Sequence, residues 1–199
     1  MLAEILVALL VTVFSIQEGS HAPIVRHRPD SLEANVVAVV NSVRSDPASF
    51  IPAVDRYERH VRSFTKDPTA LRRAVLEVRT VLKKLKPLPP LIISDALQAA
   101  ADLHALDIET YGTMGHIGHD GSDPSTRIAK FGRFTSYGEN VTYGHMTAEL
   151  IVASFLVDEG TPDRGHRKSL LAPNYTAIGV GIGSHVTYSR ACVIVVGEP

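Results

Sequence analysis

The stretch MGHIGHDGSDP, Met114 to Pro124, sets His116 and His119 three residues apart, with Asp120 beside them. Two imidazoles and a carboxylate are the raw material of a metal site or an acid–base pair, and equally of a turn that happens to hold histidine. A three-residue gap places side chains on one face only in a helix. Gly115, Gly118, Gly121 and Pro124 argue against a continuous helix here. Two further segments put an acid or a histidine in glycine-rich surroundings, where side chains can face a cleft: YGENVTYG and DEGTPDRGHRKSLLAPNY. Nucleophilic catalysis finds little support. There is no Gly-x-Ser-x-Gly elbow, and Ser122 and Ser184 lie in turn or strand contexts.

The scaffold around these segments reads as helices first and strands last. SLEANVVAVVNSVRS, from Ser31, recurs apolar at helical intervals, and Pro47 and Pro52 interrupt it. A charged stretch runs from Asp55 to Lys86, in which Asp67-Pro68 opens a helix with a basic face: Arg72, Arg73, Arg79, Lys83, Lys84 and Lys86. That face is either a solvated surface or a contact for anionic lipid. After the Pro-rich KPLPPLIIS, a helix spans Asp95 to about Tyr111, with Gly112 as its stop. His104 inside it reads as a hydrogen-bonded structural residue. GENVTYG is a short strand, and Thr147 caps the helix AELIVASFLVDE. AIGVGIGSHVTYSRACVIVVG closes the chain as a hairpin, with Gly179, Gly181 and Gly183 marking tight strand packing. This order predicts a layered α+β domain.

At 199 residues and 45% hydrophobic content the chain suits one domain with a real core. A net charge of −1 with interleaved signs gives no pull on nucleic acid. Ile5 to Ile16 is an unbroken apolar run. As a helix it would rise about 18 Å, short of the roughly 30 Å hydrocarbon core. Followed by Ser20-His21-Ala22, it reads as a secretory signal over residues 1–22, although Glu4 and the lack of Lys or Arg before it are unusual. The expected destination is extracellular. The one cysteine, Cys192, lies in a β-branched run, reads as core filler, and cannot form an intrachain disulfide.

Taken together, VVNSVRSDPASF with Asn41 and Arg44, LPPLIISDALQAAADLHALD, the MGHIGHDGSDPSTRI segment, GEN and RGHRKSLLAPNY resemble the CAP superfamily. That superfamily holds the cysteine-rich secretory proteins, antigen 5 and the pathogenesis-related proteins; the likeness is to its disulfide-poor single-domain branch. The resemblance covers residues 23–199 and implies an αβα sandwich around a small, three-stranded antiparallel sheet. It implies a cleft tetrad of His116, Glu139, His166 and a second acid, for which register after Phe155 favours Asp158 over Glu159. His119 then falls outside the site. Two imidazoles and a carboxylate could hold Zn²⁺ or another divalent metal, with Glu139 or Asp158 as general base. Alternatively the tetrad hydrogen-bonds to itself and fixes the loops. The implied function is a secreted binding module for a small apolar ligand, membrane lipid, peptide or divalent metal; the competing one is a metal-dependent hydrolase acting on peptides. The segment around 56–86 departs from the family pattern as a charged helical insertion without an assigned partner.

Overall fold

The computed structural model describes residues 31–199. The apolar run at Ile5 to Ile16 and the expected signal segment lie outside the described residues. Helix α1 (Leu32–Ser45) starts where the Ser31 hydroxyl accepts the Ala34 N–H at 3.2 Å. Its valines, Val36, Val37, Val40 and Val43, are buried. Helix α1 ends at Ser45, ahead of the two prolines expected to interrupt it, and the chain then turns helical again. A 3-10 turn at Pro47–Phe50 leads into α2 (Ile51–Val61), and Pro52 sits in the first turn, where its missing N–H costs nothing. Helix α3 (Pro68–Lys84) begins at Asp67, whose carboxylate accepts the N–H groups of Thr69 and Ala70. The charged 56–86 segment thus falls on α2 and α3, whose apolar faces join the main core.

Strand β1 (Ile92–Ile93) follows, then α4 (Asp95–Tyr111), which Gly112 ends at φ +66. The glycine-rich region holds one short helix, α5 (Pro124–Ala129). Strand β2 (Ser136–Tyr143), α6 (Ala148–Val157), α7 (Gly165–Leu170), β3 (Ala177–His185) and β4 (Ser189–Glu198) complete the chain. The sheet order is β1-β3-β4-β2. The three long strands are antiparallel as expected; β1 adds a fourth, parallel to β3 through Ile92 and Ile93 alone. Among the described residues no helix is long and apolar enough to cross a membrane.

The sheet lies between two helical layers. Ile178, Val180, Cys192, Ile194 and Val196 face α1, α2, α3 and α6, whereas Ala177, Ala191, Val193 and Val195 face α4 and α5. Glycine makes the second contact unusually close. A Cβ on Gly179 would fall on the backbone of Leu97 and Gln98, and one on Gly181 on the Ala101 carbonyl. Helix α4 therefore rests on bare strand backbone, which is the tight packing that alternating glycine implies.

The Asn-x-x-Arg pair ties α1 to both connectors. Asn41 exchanges two hydrogen bonds with the backbone of Leu91, at 2.9 and 2.8 Å. Arg44 is fully buried and donates to the carbonyls of Pro89, Leu170, Ala172 and Tyr175. Burial pulls its pKa down, and the four carbonyls replace the water it lost. Cys192 is buried in β4, and burial pushes its thiol up, as filler requires.

Candidate functional site

The loop carrying His116 is held from beneath at several points. Asp107 on α4 accepts the Thr113 hydroxyl and the His119 N–H, each at 2.9 Å. His104 is fully buried; burial lowers its pKa, and the neutral ring's Nε2 donates to the Gly115 carbonyl at 2.9 Å. The Gly115 N–H donates to the Tyr143 hydroxyl at 2.9 Å. Arg127 on α5, 1% exposed, donates to the carbonyls of Ser122 and His116 at 2.7 and 2.9 Å. His119 turns aside and stacks on Tyr111, with ring centroids 3.9 Å apart and planes 11° from parallel. The two histidines of the opening motif therefore serve separate ends.

Glu139 projects from β2 toward α4 and α5, and its side chain is 2% exposed. It accepts from His116 Nδ1 at 2.9 Å and from Arg127 Nη2 at 3.0 and 2.8 Å. On the other side of the sheet, Asp158 ends α6 in the left-handed region at φ 55, which its short polar side chain tolerates. Its carboxylate accepts from His166 Nδ1 at 2.7 Å and from the backbone N–H groups of His166 and Arg167. Burial drives the Asp158 carboxyl up, but the hydrogen bonds it accepts from His166 and from the Arg167 backbone N–H outweigh it and hold the group below its ordinary range. Glu159 points elsewhere, accepting the Thr65 hydroxyl at 2.7 Å. Of the two candidate acids, Asp158 is the one that meets His166.

The charged 56–86 segment does have a partner, which nothing in the linear order announced. Glu77 on α3 accepts from Arg167 Nη1 at 2.6 Å and from Arg164 at 3.1 and 3.0 Å. Arg167 also donates to the carbonyls of Leu156 and Val157, and Arg164 to those of Asp158 and Thr161. These two arginines flank His166, so α3 braces the segment that presents it. On the basic face itself, Arg72 pairs with Glu58 and Arg79 with Asp55.

The two imidazoles come from opposite faces of the sheet, with ring centroids 6.5 Å apart and planes at 32°. Together with Tyr137, Asp163, Lys168 and Tyr175 they line a cleft of about 590 Å³. Each ring gives Nδ1–H to its own carboxylate, so the neutral ring keeps a lone pair on Nε2. This is the self-bonded form of the tetrad. A ligand set of two imidazoles and a carboxylate does not form: among the described residues no group of three His, Cys, Asp or Glu is placed to hold a metal. Both Nδ1 atoms are taken up by the carboxylates, so any ion held by these rings would have to use their Nε2 nitrogens.

Residues 37–197 match the model of the CAP family, the cysteine-rich secretory proteins. The chain belongs to the CAP family. Among curated proteins this CAP chain is similar to the uncharacterized protein YkwD of Bacillus subtilis, 29% identical over 135 residues. That match covers 67% of the chain and 51% of YkwD, so the chain spans about half the length of this relative. Among solved structures it is similar to an outer surface protein of Borrelia burgdorferi (TM-score 0.48, 23% identity, 66% of this chain and 95% of that one). It is also similar to an extracellular, SCP-domain protein of Bacillus anthracis (TM-score 0.48, 20% identity, 65% and 40%). The layering described above is the αβα sandwich of a CAP domain.

Proposed function

We propose that this CAP domain is a secreted binding module whose cleft takes a peptide or similarly polar ligand between His116 and His166. One observation carries the reading: both carboxylates of the tetrad are spent on orienting the imidazoles. Glu139 serves His116 and Arg127, and Asp158 serves His166 and two backbone amides. Rings fixed in this way present two pre-oriented acceptors at little entropic cost. Among the described residues the lining sets the rings of Tyr137 and Tyr175 beside Glu139, Asp163, His166 and Lys168, a mixture that suits a peptide better than a wholly apolar ligand. The membrane-lipid alternative would fall to the basic face of α3, two of whose arginines are already paired. A divalent ion such as Zn²⁺ would find two nitrogen donors and fill its shell from water or ligand, which favours weak binding. The hydrolase reading needs a carboxylate free to take a proton from water, and neither Glu139 nor Asp158 offers one unengaged. Secretion follows the signal-like run at Ile5 to Ile16.

The test uses the protein purified from its own secretion, with its N-terminus sequenced. Peptide retention, metal content, vesicle binding and peptide cleavage are measured for the wild type, His116→Ala and His166→Ala. Peptide retention reduced about tenfold or more in both variants, with vesicle binding unchanged, is the expected result. Retention indifferent to both substitutions would overturn the reading. Cleavage that both substitutions abolish and Zn²⁺ restores in the wild type would replace it with the hydrolase.

A further inference from the structure

Strand β2 is an edge of the sheet, and that edge borders the cleft. The Gly144 N–H donates to the Arg190 carbonyl at 2.9 Å. In this register the even-numbered residues of β2 carry the ladder to β4, and the odd ones turn N–H and C=O outward. These are Tyr137, Glu139, Val141 and Tyr143, of which the first three lie nearest the cleft. Among the described residues nothing bonds to their outward groups. The opposite side of the sheet is treated differently. Beyond the short β1, the Gln98 side chain takes both the N–H and the C=O of Val180, and Glu109 takes the Ser184 N–H. That flank is covered by side chains at Val180 and Ser184, as edges often are. The flank between the two histidines is open.

Glu139 shows the opening directly. Its side chain is 2% exposed, yet the residue as a whole is only half-buried, so what meets solvent there is main chain. From Tyr137 to Val141 the open edge runs about 14 Å, the length of four to five extended residues. Alternating N–H and C=O groups at this repeat are matched by one chemistry, another extended backbone.

We infer that the cleft binds its peptide as an added strand along β2, hydrogen-bonded to Tyr137, Glu139 and Val141 and flanked by His116 and His166. The inference rests on the peptide reading of the cleft. Successive residues of an added strand point to alternate faces. One side chain would therefore meet His116 on the α4 side, and the next would meet His166 and Lys168 on the α7 side. Nε2 lone pairs on both rings match donors, so Ser, Thr, Asn or Gln at two consecutive positions fits best.

The probe is a library of acetylated, amidated random hexapeptides, selected on the full secreted protein. A selected peptide should slow amide exchange at Glu139 and Val141. It should lose about tenfold in affinity when alternate peptide amides are N-methylated, the effect of one unreplaced hydrogen bond. Val141→Pro deletes an outward N–H while sparing the ladder, and should cost a similar factor. Tyr137→Pro substitutes if that variant fails to fold. Binding that needs both histidines but leaves amide exchange and the proline variants unchanged would overturn strand addition and leave the cleft reading intact. No retained peptide, or retention indifferent to His116→Ala and His166→Ala, would overturn both. Dimerisation that Val141→Pro abolishes and peptide cannot compete with would assign the edge to a second copy instead.

Discussion

Glu77 and Arg167 meet at 2.6 Å across the boundary between α3 and the segment that presents His166. The Arg167 side chain is 5% exposed, whereas Glu77 is 46% exposed. The arginine is therefore the member that depends on the pair. Glu77→Ala should cost about 1 to 2 kcal/mol, because Arg167 keeps two carbonyl partners while losing its countercharge. Urea denaturation measures the loss, and faster amide exchange at His166 and Arg167 should accompany it. Exchange unchanged from the wild type would mean that α3 does not brace the site.

Removing Glu139 should be more severe. Arg127 is 1% exposed and would be left as a buried charge facing the neutral oxygens of Ser122 and His116. Glu139→Ala should destabilise the fold by about 3 to 5 kcal/mol. The double variant Glu139→Ala with Arg127→Met should recover part of that. Chemical denaturation of the three proteins checks both statements.

His145 packs against Tyr57, ring centroids 5.6 Å apart, and burial together with the nearby His60 lowers its pKa to about 4. Unfolding returns it to the ordinary value near 6.5. The unfolded chain then binds more protons between those values, so stability should fall as the pH drops from about 6.5 to about 4. His145→Gln should flatten that part of a plot of Tm against pH. Asp158, held below its ordinary range, gives a separate loss that begins below about pH 4 and should survive the substitution.

Gly181→Ala should not be tolerated. The added methyl would fall on the Ala101 carbonyl, and helix backbone cannot swing aside as a side chain can. A loss of about 3 kcal/mol or more is expected, since overpacking here must lift α4 from β3. Thermal unfolding of Gly181→Ala beside the wild type checks it.

The layered architecture was legible because its signals are local. Ser31, Asp67 and Thr147 cap helices where they stand in the sequence, and Gly179, Gly181 and Gly183 alternate within a β-branched run. Pro47 and Pro52 marked the end of α1, and α2 could restart at Pro52 because a residue that breaks a helix interior is neutral in a first turn. Two-residue β1 and six-residue α5 are too short for periodicity to register. Resemblance named His116, Glu139, Asp158 and His166, and the fold brings them into two pairs. Arg127 was expected to anchor the loop through a carboxylate or carbonyl, and it meets both. What the spacing could not show was that Glu77 braces the His166 side, since a charge on a helix face indicates exposure and not the distant group it will meet. Nor could it show the open edge, which is a property of strand order.

The 6.5 Å between the two rings has a mechanical meaning. His116 is carried by the α4 side of the sandwich and His166 by the α7 side, so their spacing works as a caliper across the sheet. A guest that touches both rings would pin the two helical layers against sliding, and its arrival would be felt as added stiffness far from the groove itself.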